Sequence, residues 1–309
     1  MISRRIIRVK VMQTLYTIDA LEHKLKPGEA GKILQKHFEL TEQLLVYLLF
    51  FIAEVARYAE TDSRRRASKH LPSELDRNVN IKLAGNEILW KILEDESLKK
   101  AMQLHKPHLQ INMDLVKKIY QELALTEEYR KYIELEGREK KGEKELLEFI
   151  FASVMLPNDE FVAHIEELFT NWDDDADAMA QLVTSYLNKP GSFDFQQLMS
   201  KEKWDFARNL LATVTEKREI TLELIKPKLK NWDAERIARL DMILMEMGVC
   251  EFLFFETIPP KVTINEYIDL AKEYSTPQSG QFVNGILDNI HKDLVRENKM
   301  HKVNFKSSS

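Results

Sequence analysis

Ile7, Val11, Leu15, Ile18 and Leu21 recur at steps of three and four residues. That is the spacing of one helical face, and it predicts a first helix over 3–21 with Ser3 as its cap. Pro27-Gly28 ends the pattern. The second helix carries LLVYLLFFIA, residues 44–53, the longest apolar run in the chain. Ten residues are too few to cross a bilayer, so the run predicts a buried helix. Short helices follow at 83–104, 112–122 and 143–155, and another carries Phe161, Ile165, Leu168 and Phe169. DSRRRASKHLPSELDRN, residues 62–78, reads as a loop or helix end interrupted by Pro72, and ELEGREKKGEKE, residues 134–145, as a connector. DDDAD, residues 173–177, precedes a short helix to 187, and NKPGS, residues 188–192, is a turn.

From residue 204 the periodicity sharpens. Phe206, Leu210, Val214, Leu222, Ile225 and Leu229 predict one long helix ending near 230. Asp233 caps the next, whose stripe is Ile237, Leu240, Ile243 and Met247. Thr263-x-x-Glu266 has the form of a capping box, in which each side chain accepts from the other residue's backbone N–H. Thr276-Pro277 predicts a cap and first position for the last helix, striped by Phe282, Ile286, Ile290 and Leu294. With only 9 Gly and 9 Pro in 309 residues, turns are few and helices long. The fold class expected is all-α.

Composition adds a core and a compartment. The chain is 44% hydrophobic and 31% charged, enough to bury a core under a solvated surface. A lone Cys250 permits no internal disulfide, and no apolar leader is visible, so a cytoplasmic protein with no membrane partner is expected.

Total charge is −5, yet Arg4, Arg5, Arg8 and Lys10 place four cations in the first ten residues with no acid among them. Cations at a helix start oppose the macrodipole by about 0.3–1 kcal/mol each. An anionic ligand would offset that cost; a solvated tail is the plainer account. The Arg64–Arg66 triplet either extends such a track or keeps a loop solvated.

Nothing points to catalysis. There is no Gly-rich phosphate loop, no G-x-S-x-G and no H-E-x-x-H. His105-x-x-His108 contains Pro107, DDDAD reads as a solvated acidic loop, and Cys250 sits in an apolar stretch. No catalytic residue, metal or cofactor is expected, and no enzyme.

Six stretches stand out together: RRIIRVKVMQTLY at the start, FARNLLATV (206–214), IKPKLKNW (225–232), RLDMIL (239–244), VTINEYIDLAKEYS (262–275) and QFVNGILDNI (281–290). In this order and spacing they resemble the NusB family of transcription antitermination factors. The resemblance covers 1–20 and 204–296. It implies a NusB-like pair of helical bundles: an N-terminal one over 1–232, built from 1–20 and 204–232 with an extra helical region inserted at about 40–200, and a C-terminal one over 233–309.

The function implied is binding of boxA-type single-stranded RNA together with the ribosomal protein NusE, within an RNA polymerase antitermination complex. By motif, Arg4, Arg5 and Arg8 become phosphate contacts, joined by Lys10 and Lys261, and Phe282 a base contact. Gln13, Tyr16 and Asn284 are the other groups able to stack on or hydrogen-bond to unstacked bases. Phe282 also begins the stripe of the last helix, which is a core position. Asp241 matches an acidic position in the family's NusE contact, with Glu246 and Glu251 beside it. Two departures stand out: Ile7 replaces a small residue, and MEMGVCEFL (245–253) puts Cys250 in a tyrosine slot. A helical interaction scaffold without sequence-specific RNA binding is the other reading, because the same fold is appended to some RNA methyltransferases.

Overall fold

A computed structural model describes residues 2–21, 26, 28–71, 73–77, 79–229 and 237–303. Among the described residues every regular element is helical. The helices are α1 Arg4–Ala20, α2 Glu29–Ala67, α3 Glu74–Arg77, α4 Glu87–Glu94, α5 Glu96–His105, α6 Met113–Leu125, α7 Glu127–Glu134 and α8 Lys140–Phe149. They continue with α9 Asp159–Leu168, α10 Trp172–Asn188, α11 Lys201–Glu216, α12 Arg218–Ile225, α13 Arg239–Phe254, α14 Pro260–Tyr274 and α15 Ser279–Arg296. Two compact units divide the chain. The first takes residues 38–198; the second takes 2–37 and 199–309.

In the first unit, the apolar run of α2 is buried almost throughout, as its composition requires. Tyr47 and Phe51 pack against Phe161, His164 and Phe169, with ring centroids 5.0–6.4 Å apart. No described helix is long and apolar enough to cross a membrane. Of the two readings of 62–78, loop or helix end, the Arg64–Arg66 triplet takes the second: it forms the last turn of α2, where Asp62 on the preceding turn pairs with both Arg65 and Arg66. DDDAD is likewise helical, forming the first turns of α10. Acids are favourable there against the dipole, and buried Asp175 accepts from Thr41 and Asn171.

In the second unit, α13 is the central element, buried on nearly every face from Ile243 to Phe252. α1, α11, α12, α14 and α15 pack around it. Gly248 is what lets α15 approach: a Cβ there would lie 2.9 Å from Leu287 Cδ2. Ser3 caps α1 as expected, accepting from the Ile6 N–H at 3.3 Å.

Three local expectations change. The long helix over 204–230 breaks at Lys217 into α11 and α12, followed by a 3-10 turn over Lys226–Leu229. Thr263 and Glu266 form no capping box, because Pro260 starts α14 three residues earlier. Thr276 and Pro277 precede α15, and Gln278 holds the cap position. The expected cap Asp233 lies outside the described residues.

Candidate nucleic-acid interface

The basic start of α1 divides into an exposed part and a buried part. Arg4 is exposed and reaches Glu202 at 3.0 Å. Arg5 is half-exposed and reaches Glu273 at 2.7 Å and Glu266 at 3.9 Å. One turn further, Arg8 is 2% exposed. Its Nε donates to Glu251 Oε1 at 2.8 Å and its Nη2 to Oε2 at 3.1 Å. Thr263 Oγ1 and the Tyr267 hydroxyl donate to the same carboxylate at 2.9 and 2.8 Å. Four donors thus cover Glu251, which is fully buried.

Burial opposes the Arg8 charge, but the hydrogen bonds and charge of Glu251 outweigh it and hold the guanidinium above its ordinary pKa. Tyr267 is pushed up by burial and by Glu251. Lys302 donates to the Glu251 carbonyl at 2.7 Å and to the Phe255 carbonyl at 2.8 Å.

Sequence reasoning put Arg8 and Lys10 on a phosphate track, whereas the structure buries both side chains. A buried, ion-paired arginine presents no charge to solvent, so Arg8 joins helices instead. Gln13 is half-buried and Tyr16 is exposed on α1. Lys261 is exposed in the first turn of α14.

At the start of α15, Ser279 and Gly280 are buried, Phe282 is half-buried, and Gln281, Asn284 and Gly285 are exposed. The starts of α1 and α15 both meet the last turn of α14. Arg5 binds Glu273 there. Lys272 lies so close to Gly280 that a Cβ would stand 2.6 Å from its Cγ. Gly285 differs from Gly248 and Gly280: a Cβ on it would meet nothing within 4 Å.

The three acids expected at a protein partner are all interior. Asp241 accepts from Ser279 Oγ at 2.8 Å and so holds the start of α15. Glu251 holds Arg8. Glu246 lines a cavity of about 40 Å³ with Leu15, Ile18, Asp19, Val214, Thr215, Arg218 and Ile243. Burial pushes its carboxyl up to about 7, with Asp19 adding to the rise and Arg218, 3.6 Å away, opposing it. Burial likewise pushes the Cys250 thiol up to about 12.

Sequence reasoning missed Asp19, which pairs with Arg239 at 2.5 Å and Arg218 at 3.4 Å. About two hundred residues separate Asp19 from these partners, and no local pattern marks them.

A sequence model of the NusB family matches residues 167–292. Transcription antitermination protein NusB of Salinibacter ruber is 43% identical over 98 residues, 32% of this chain and 61% of that protein, so the match spans less than two thirds of that relative. NusB of Methylacidiphilum infernorum is 41% identical over 105 residues, 34% of this chain and 73% of that protein. NusB of Finegoldia magna is 34% identical over 114 residues and 83% of its own length. A solved structure of T. maritima NusB aligns at 28% identity over 43% of this chain and 90% of that one, with a TM-score of 0.31. With 41% identity sustained across 73% of a relative, this chain belongs to the NusB family.

Proposed function

We propose that this protein is a transcription antitermination factor that binds a boxA-type single-stranded RNA together with the ribosomal protein NusE, in a complex with RNA polymerase. The carrying observation is Gly285. It lies inside α15, where glycine costs about 1 kcal/mol against alanine. Packing does not call for it, since no atom of another element lies where its Cβ would be. A bare, exposed backbone flanked by Gln281, Phe282 and Asn284 suits close approach of an unstacked base or its ribose.

Arg4, Arg5 and Lys261 supply the cationic flank on this reading, and Tyr16 and Gln13 extend it along α1. Phosphate contacts of this kind position a strand, while Phe282 and Asn284 read it. Arg8, Asp241 and Glu251 act indirectly, by fixing α1, α13 and α15 beneath the RNA and the protein partner, and the buried Lys10 and Glu246 touch neither. The names of the relatives, transcription antitermination proteins, support the cellular role.

The test is fluorescence anisotropy of a labelled boxA-type RNA against a scrambled RNA of the same composition, with and without NusE. Preference for the boxA-type RNA, stronger with NusE and weakening as salt rises, is the expected result. Equal affinity for both RNAs with NusE present would reject the proposal.

A further inference from the structure

The two units carry opposite charge. The first holds 20 Lys and Arg against 30 Asp and Glu, the second 25 against 20. Within the acidic unit, α4 buries Ile88, Leu89 and Ile92 and exposes Glu87, Trp90, Lys91 and Glu94. Trp90 is 50% exposed. The other described tryptophans are covered: Trp172 is buried, and Trp204 carries the Arg208 guanidinium 4.8 Å from its ring centroid. No aromatic ring or cation of the described residues lies against the Trp90 indole.

Its acidic neighbours on the same helical face are Glu87, three residues before, and Glu94, four after, with the exposed Lys91 beside it. Neither carboxylate has an ion-pair partner among the described residues. The helix beneath them is fixed at its start. The Asn86 side chain accepts from the Ile88 and Leu89 N–H groups, and Glu143 accepts from the Glu87 N–H at 2.7 Å.

We infer that this face of α4 is a docking site for an arginine-bearing segment of a basic partner protein. The chemistry is specific. An indole face attracts a guanidinium, and two free carboxylates at its edges accept the N–H groups of that guanidinium. Arginine suits the site better than lysine, because its planar head stacks and is more weakly hydrated. The Arg208–Trp204 contact shows the same pairing inside this chain. Nucleic acid does not fit, since an excess of ten acids repels phosphate. The site lies on the unit that holds none of the proposed RNA contacts, so it stands or falls apart from them.

The experiment uses the full chain and a short fluorescein-labelled peptide of alternating arginine and glycine, read by anisotropy. The same peptide with citrulline in place of arginine is the uncharged control. Trp90→Ala and the double variant Glu87→Gln/Glu94→Gln should each weaken the arginine peptide by about three- to five-fold. Trp90→Phe, which keeps a ring and the fold, should lose about two-fold or less. Glu166→Gln/Glu167→Gln, which removes two exposed acids from α9, should leave binding unchanged. Equal losses from the α9 variant would reduce the effect to net charge and overturn the inference. So would unchanged binding in Trp90→Ala, or sedimentation showing a dimer that Trp90→Ala dissolves, which would assign the face to a second copy of this chain.

Discussion

The Arg8 guanidinium and the Glu251 carboxylate form a two-bond ion pair across 243 residues of sequence, with both side chains inside the second unit. The pair joins α1 to α13, and through Thr263 and Tyr267 to α14. A buried pair of this kind is costly to break from one side, because the remaining charge stays desolvated. Arg8→Met should therefore destabilise the second unit by about 3–5 kcal/mol, and Glu251→Gln by a similar amount. Arg8→Met combined with Glu251→Gln should cost less than the sum of the single changes. Urea denaturation of the four proteins checks this; additive losses would show that the two residues do not act as a pair.

Gly285→Ala separates folding from binding. Alanine gains about 1 kcal/mol of helix stability and meets no neighbour. RNA affinity should nevertheless fall, because the methyl group occupies the space proposed for the base. A melting curve and an RNA titration on the same variant decide it: raised Tm with unchanged affinity would remove Gly285 from the interface.

Exposed and buried arginines should behave differently toward salt. Replacing Arg4 and Arg5 with Ala should flatten the dependence of log affinity on log salt by about one to two units. Arg8→Lys should leave the slope unchanged and act on stability instead. Anisotropy titrations at several salt concentrations report the slopes.

Glu246 makes a prediction about pH. Its carboxyl is held at about 7 in the folded chain, against about 4.3 when unfolded. Below the unfolded value both states are protonated and the group is neutral to stability. As pH rises from about 4.3 to 7, the unfolded state releases its proton first, so stability falls. The full penalty, on the order of 3 kcal/mol, is present above about pH 7. Glu246→Gln removes it. The gain of the variant over the natural chain in urea midpoint should grow between pH 5 and pH 8 and be near zero at pH 4. A gain independent of pH would indicate packing instead of titration.

The local features were readable from the sequence. The stripe of α1, its Ser3 cap and the buried run of α2 each depend on residues within a few positions of one another. The partners of the charged residues were not. Arg4 and Arg8 share a helical face by spacing, yet one is exposed and the other buried, because Glu251 waits for only one of them. Thr263 and Glu266 fit a capping signature, but Pro260 started the helix earlier and freed both for the Arg8 network. The break at Lys217 carries no Gly or Pro signal. Of the candidate interface, the cluster of cations at the start of α1 was legible, but not which of them are exposed; the burial of Asp241, Glu246 and Glu251 required the packing of α13.

The most direct test maps the RNA itself. Ultraviolet crosslinking of a boxA-type RNA to the full chain in the presence of NusE, followed by peptide mass spectrometry, locates the bound strand. Crosslinked peptides are expected from α1 and from the start of α15, including Tyr16 or Phe282. Crosslinks confined to residues 38–198 would contradict the proposed interface.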